Sequence, residues 1–384
     1  MTLFGIIFAI IIFSVVIALH ELGHFVAAKL SNVQVNEFAL FMGPAIFKKQ
    51  KGETLYSIRC IPIGGYCAME GEDEDTENPR SFQKAVWWKR LIILVSGSAM
   101  NLLTGFLLLA LFFAFNETYS TPVIARNEEL CTIVYEEGLH VGDRLVEIDG
   151  YNVYTANDAK MLLSFADETA DIVVERDGIE IEFKNYRLDN IYLTKCKCGK
   201  NIYFNNEMKT ESVICPKCQT KIELSKVQAE EKYGIDFGYK EASFSELIPY
   251  TWDNTRSVVQ SVWLSLKMLV TGQAGLKDIT GPVGIVQMMS DTAAESGGIG
   301  YAMLNMCYFG GFIAINLGIM NMLPIPALDG GRSVGLLLTT LIEKITKKKL
   351  NPKIEGYIHA AGMILLLILM AVIMFKDIFV IFKG

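Results

Sequence analysis

The stretch TLFGIIFAIIIFSVVIAL, residues 2–19, carries no charge and runs directly into His20-Glu21-Leu22-Gly23-His24. A run of that length crosses about 30 Å of hydrocarbon as an α-helix, so a cluster of ionisable groups stands at the end of a membrane span. A cleaved signal peptide is the bland alternative, but the run lacks a basic leading segment and continues into His20 and Glu21. Three more stretches have the same character. Leu91 to Phe115 and Ser296 to Leu328 carry no charge, and Tyr357 to Phe375 holds only His359. Ser257 to Thr271 is interrupted by Lys267 and flanked by Asp253 and Arg256; with Trp252 and Trp263 it reads as an amphipathic interfacial helix.

Composition agrees with four spans. Of 384 residues, 51% are hydrophobic and only 20% charged, and the mean hydropathy is +0.32. Disorder, collagen-like repeats and a disulfide-dense secreted scaffold are excluded. A net charge of −7, from 35 basic and 42 acidic residues, argues against nucleic acid as a partner. The acidity is local: Asn116 to Tyr250 holds 15 basic and 25 acidic residues, which marks a water-exposed body inserted between spans two and three. Lys29 to Arg90 holds nine Lys/Arg, and the loop between spans three and four holds six. By the positive-inside rule both loops are cytoplasmic, so the insert and both termini lie on the outer side of the membrane.

His20 and His24 lie four apart and share a helix face, so both imidazoles can hold one Zn²⁺ while Glu21 stands beside a metal-bound water as general base. Uncompensated, three ionisable groups there would be costly. A catalytic zinc needs a third protein ligand and an open position. His140 lies in the insert and His359 on the last span, and neither is well placed. Asp329 is the better candidate. It is the first charge after the third neutral run, in Asn321-Met-Leu-Pro324-Ile-Pro326-Ala-Leu328-Asp329-Gly330-Gly331. The prolines break the helix, and the glycines permit a tight re-entry into a helix beginning near Arg332. Broken backbone at membrane depth needs a cover of protein or a wet cavity, and an active site is such a cavity.

Phe38 to Phe41 and Glu53 to Met69 look like hairpin segments with a turn at Lys51-Gly52. An exposed strand edge there, at Ile63, Gly64, Gly65 and Tyr66, could hold an unwound stretch of substrate beside the metal. Within the insert, Pro122 to Arg187 has the rhythm of short strands and turns: Cys131 to Val134, Leu145 to Ile148, and a hairpin Ile172 to Phe183 turning at Asp177-Gly178. Gly138-Leu-His-Val-Gly142-Asp143-Arg-Leu-Val-Glu-Ile-Asp-Gly150 resembles the core signature of a PDZ domain, which implies an extended peptide tail as partner. Cys196, Cys198, Cys215 and Cys218 suit a second, structural Zn²⁺, since four thiolates close the coordination shell. The first pair has one intervening residue where knuckles have two; disulfides and free thiols are the competing readings.

With these motifs the chain resembles the site-2 protease family of intramembrane zinc metalloproteases, specifically the bacterial subgroup with an inserted PDZ module that cuts anti-sigma factors. The resemblance runs nearly end to end. It also takes in Gly281-Pro282-Val283-Gly284-Ile285 and Ile61-Pro62-Ile63-Gly64-Gly65-Tyr66. It implies that His20, His24 and Asp329 are zinc ligands, that Glu21 is the catalytic acid/base, and that Asn321 positions substrate or stabilises an oxyanion. The four-cysteine element departs from the plainest members and leaves the insert's role open.

The expected architecture is a polytopic α-helical membrane protein with four transmembrane helices, a membrane-associated β-hairpin region and an extracytoplasmic PDZ domain carrying a zinc ribbon. Its expected parts are residues 1–30, first helix; 31–86, cytoplasmic-side β region; 87–116, second helix; 117–190, PDZ; 191–225, ribbon; 226–295, linker and amphipathic helices; 296–331, third helix; 332–356, cytoplasmic helix and basic loop; and 357–384, fourth helix. The expected activity is hydrolysis, inside the bilayer, of single-span membrane proteins already trimmed by another protease, either anti-sigma factors or remnant signal peptides. The rival is a catalytically silent membrane receptor using the PDZ and cysteine modules to bind partners.

Overall fold

The computed structural model describes residues 3–72, 76–125, 138–166, 169–188, 191–199, 201–205, 212–215, 217–224, 230–232, 236–273, 275, 281–295, 298–347 and 352–383. The expected strand Cys131 to Val134 lies outside them. Two compact units form: residues 1–115 with 258–384, and the inserted residues 116–257.

In chain order the first unit begins with α1 (Leu3–Leu30), β1 (Val35–Lys51), β2 (Thr54–Met69) and α2 (Trp87–Ala114). The insert supplies β3 (Thr118–Ala125), β4 (Arg144–Ile148), β5 (Tyr151–Asn152), α3 (Ala156–Phe165), β6 (Thr169–Arg176) and β7 (Ile179–Arg187). It continues with β8 (Ile191–Lys195), β9 (Asn201–Asn205), β10 (Ser212–Ile214), β11 (Lys221–Glu223), β12 (Glu230–Lys232) and β13 (Asp236–Glu241). Helix α4 (Phe244–Thr271) leads back, followed by α5 (Pro282–Glu295), α6 (Ile299–Asn321), α7 (Asp329–Thr346) and α8 (Pro352–Lys383).

Four described helices are long and apolar enough to cross a membrane: Gly5–Leu30, Trp87–Ala114, Ile299–Asn321 and Gly356–Phe379. The first outruns its neutral stretch, because Leu22, Phe25, Val26, Ala27 and Ala28 keep the helix apolar past the histidines. His20 and His24 therefore sit inside the span and not at its end. Ser257 to Thr271 is the second half of the longer α4, which contains Pro249.

Helices α1, α2 and α6 form the packed centre of this unit. Gly105 of α2 faces Gly311 of α6 so closely that a Cβ on Gly105 would lie 2.9 Å from the Gly311 carbonyl, the small-residue crossing that membrane helices use in place of a hydrophobic driving force. In contrast, only 6% of the most apolar stretch of α8 is buried, against 44% for α6. Helix α8 is peripheral, but it touches the site at one point described below.

Strands β1 and β2 make a hairpin that turns at Gly52-Glu53; β2 matches the expected Glu53 to Met69 segment within one residue, whereas β1 runs well beyond the expected Phe38 to Phe41. Residues 37–40 are paired on both sides, with 65–68 and with 55–58, so the hairpin is folded across itself. The segment 65–68 is left at the margin of this sheet among the described residues. Lys29 at the end of α1 and Arg80 both bind Glu53 at 2.6 Å, tying the hairpin turn to the metal-motif helix. Hydrogen bonds from Arg80 and Lys29 pull the Glu53 carboxyl down to about 2.

In the insert the sheet order is β13-β3-β4-β6-β7, with β5 on β4. Leu139, Leu145, Ile148, Leu163, Ile172 and Val174 form its core. The expected turn is present at Asp177-Gly178, with φ of 52° and 78°, the pair of positive angles a two-residue hairpin turn requires. Strand β13 joins β3 from beyond the cysteine element, in a stretch read from sequence as linker. Its reading fails there because Phe237 is its one buried side chain, so it has no alternating apolar pattern.

Candidate active site

Helix α1 sets His20 and His24 four residues apart on a face that meets α2 and the start of α7. His20 Nε2 and His24 Nε2 are 3.2 Å apart, and Asp329 Oδ2 lies 3.2 Å from each. Three donors at about 2.0–2.1 Å from one tetrahedral ion stand about 3.3 Å from one another. The triangle therefore has the dimensions of three ligands of a tetrahedral zinc. Asp329 Oδ2 is also buried with no hydrogen-bond partner, the condition of a carboxylate oxygen whose natural partner is a cation. The residues fit the ion.

Asp329 reaches this point because the chain breaks after α6. Pro324 and Pro326 end the helical ladder, Ala327 takes a left-handed φ of 79°, and α7 starts at Asp329 itself, one turn earlier than the expected start near Arg332. The Ala327 N–H donates to His359 Nδ1 at 3.0 Å. His359, set aside in the sequence as not well placed for a third ligand, thus contacts the loop that aims Asp329 and is not a member of the three-donor cluster. Arg332 forms an ion pair with Glu72, joining the first turn of α7 to the segment after β2.

Glu21 lies on the adjacent face of α1, and a Cβ on Gly65 would stand 3.4 Å from Glu21 Cγ. Ile63 to Tyr66 belong to β2, and of them Gly65 lies against the Glu21 side chain. Leu40 pairs with Gly65 and Ala39 with Tyr66. Gly64 has a φ of 78°. Asn321, the last residue of α6, brings its amide nitrogen to 3.4 Å from His20 Nε2.

Three contributions from α2 were not legible in the sequence. The Ile93 carbonyl accepts a hydrogen bond from His24 Nδ1 at 2.8 Å, which fixes the proton on Nδ1 and leaves Nε2 free to ligate. Gly97 makes the room: a Cβ there would lie 2.3 Å from His24 Nε2 and 2.7 Å from His20 Cε1. Asn101, buried, approaches His20 from the other side, 3.2 Å from Nδ1. The available signal was Asn101, an amide in an uncharged span whose other polar residues are the small hydroxyls Ser96, Ser98 and Thr104, two helical turns from Ile93 and one from Gly97 on the same face.

In the other unit the four cysteines converge. Cys196 Sγ lies 3.4 Å from Cys218 Sγ, and Cys198 Sγ lies 3.6 Å from Cys215 Sγ. These are far longer than a disulfide bond of about 2.05 Å and near the edge of about 3.8 Å expected for thiolates at about 2.3 Å from zinc. The tight Cys196-Lys-Cys198 spacing is accommodated by a turn in which the Gly199 N–H donates to the Cys196 carbonyl at 2.8 Å, with Gly199 at a φ of 83°.

Comparison with known proteins agrees with this geometry. The model of Peptidase family M50 matches residues 8–369. A protein of Clostridium acetobutylicum whose given name describes a zinc metalloprotease is 33% identical over 378 residues, covering 98% of each chain. One from Fusobacterium nucleatum, similarly named, is 31% identical over 386 residues, with 98% of each chain covered. The zinc metalloprotease RasP of Bacillus licheniformis is 27% identical over 451 residues, covering 96% of this chain and 97% of its own. With a whole-length family match, four helices fit to cross a bilayer and a buried three-donor cluster that fits zinc, the chain belongs to peptidase family M50, the site-2 proteases, and is a membrane zinc metalloprotease.

Proposed function

We propose that the protein cleaves single-span membrane proteins within or next to their transmembrane segments, with His20, His24 and Asp329 as zinc ligands, Glu21 as general base and acid, and Asn321 as the residue that positions the scissile carbonyl. The observation that carries this reading is the 3.2 Å triangle of two imidazole nitrogens and a carboxylate oxygen, with Glu21 one residue away on the same helix. Zn²⁺ held there supplies a Lewis acid that makes water nucleophilic at neutral pH. Glu21 takes the proton of the attacking water and returns it to the leaving amine. A substrate helix hides its peptide bonds in its own ladder, and the margin of the β1/β2 sheet at Gly65 to Ala68 offers backbone groups to an unwound stretch within reach of Glu21.

In this reading the inserted sheet is a PDZ module on the extracytoplasmic side that reads or filters substrate tails. The four cysteines hold a structural zinc, and the substrates are anti-sigma factors or remnant signal peptides already shortened outside. The decisive experiment reconstitutes the full chain in vesicles with a single-span test protein and maps products by mass spectrometry. Cuts inside the span that vanish on zinc chelation and return with added zinc are expected; cuts only in the exposed tail would overturn the reading.

Two further outcomes are expected. Zinc analysis of the purified chain gives two ions per molecule, falling to one when Cys215 and Cys218 are both replaced by Ser; a count of one in the parent with Cys215 recovered in a disulfide would sink the second site. For orientation, a cysteine introduced at the exposed turn residue Asp177 reacts with an impermeant reagent in intact cells, whereas one at Lys344 reacts only after permeabilisation. The reverse pattern would invert the topology.

A further inference from the structure

We propose that Asn101 of α2 is a positioning residue of the metal centre: its side-chain carbonyl accepts the Nδ1–H of His20 and so holds that imidazole with its Nε2 lone pair facing His24 and Asp329. This rests on the reading of His20 as a zinc ligand. The Asn101 side chain is 1% exposed. Its Nδ2 stands 3.2 Å from His20 Nδ1, while Oδ1 is buried with no hydrogen-bond partner.

The two ends of an amide have the same shape, and which end faces a neighbour follows from the hydrogen-bond network. With Nδ2 toward the ring, Nδ1 must be the acceptor and the imidazole proton sits on Nε2. That proton would point into the 3.2 Å triangle, where no ion could then be bound by His20. With the amide turned over, the orphaned oxygen becomes the acceptor of an Nδ1–H, and Nε2 is left with a lone pair. A histidine that ligates through Nε2 requires this second arrangement.

The neighbouring ligand is held in the same way. His24 Nδ1 lies 2.8 Å from the Ile93 carbonyl, an acceptor with no alternative orientation. Ile93 and Asn101 lie eight residues apart on one face of α2, with Gly97 between them clearing space for the rings. Helix α2 thus fixes both histidines in one tautomer, His24 through its backbone and His20 through a side chain. Only the second can be altered by substitution.

The test uses the full-length detergent-solubilised protein and zinc-buffered chelator competition. Cobalt loading distinguishes the two sites, since thiolate-bound cobalt has an intense charge-transfer absorption that an imidazole and carboxylate set lacks. Asn101→Leu is expected to weaken metal binding at the intramembrane site by about 10–100-fold and leave the thiolate site unchanged. Asn101→Asp, which keeps an acceptor in place, should restore binding to within several-fold of the parent. Nitrogen NMR of imidazole-labelled zinc-loaded protein, with only four histidines to assign, should find the His20 proton on Nδ1. Unchanged affinity in Asn101→Leu, an equal loss in Asn101→Asp, or a His20 proton on Nε2 would overturn the proposal. His20→Asn separates the two levels of inference. If it loses the metal while Asn101→Leu does not, the ligand reading stands and the role of Asn101 fails; if it keeps the metal, both fall.

Discussion

Glu21→Gln is expected to retain zinc at the proposed His20, His24 and Asp329 site and to lose peptide hydrolysis, whereas Asp329→Ala is expected to lose both. Glutamine is nearly isosteric with glutamate and is not one of the three donors, so the 3.2 Å triangle of His20, His24 and Asp329 is untouched. What disappears is the group that accepts the proton of water, an effect of about 10²–10⁴-fold from general-base catalysis. In Asp329→Ala two imidazoles remain, and the coordination sphere is incomplete. Metal analysis alongside cleavage of a transmembrane substrate, both in chains with Cys215 and Cys218 replaced by Ser, checks the pair. Near-normal cleavage by Glu21→Gln would remove Glu21 from the chemistry. Full zinc occupancy in Asp329→Ala would mean that the third ligand lies elsewhere.

The second large effect is expected from a residue with no functional group. Gly97→Val places branched carbon where even a Cβ would lie 2.3 Å from His24 Nε2 and 2.7 Å from His20 Cε1. The nearest atoms belong to the two rings proposed as zinc ligands, whose Nδ1 atoms face α2, so the rings could not retreat and still meet at one ion. Intramembrane zinc and activity should fall to background, and Gly97→Ala should retain a small fraction of both. The helical content, and the metal proposed at the insert's four cysteines, should be unaffected in either variant. A Gly97→Val protein with parental zinc affinity would show that α1 and α2 do not approach as described.

The four spans were legible because each is a long uncharged run, and hydrocarbon imposes that condition on sequence directly. His20, Glu21 and His24 were legible for a related reason: they interrupt such a run at helical spacing, and Asp329 follows a proline-broken neutral stretch. The ends of the elements were less so. Strand β2 was read within one residue, but β1 was read short, because none of its residues 42–51 is buried and no buried face leaves an alternation there. Strand β13 escaped because a margin strand with one buried side chain has no period to read.

The sequence by itself determined the membrane class, the residue types of the candidate metal site and their order along the chain, since each follows from local composition and from spacings of a few residues. Only the tertiary structure decided how the centre is assembled. His20 and Asp329 are 309 positions apart, and nothing local states that Asp329 Oδ2 should come within 3.2 Å of both imidazoles while His359 turns to the Ala327 N–H. Nor does it state that Ile93, Gly97 and Asn101 share the face of α2 on which the two rings lie. Those roles belong to contacts between helices, where a missing Cβ or one buried amide matters through what the fold sets against it.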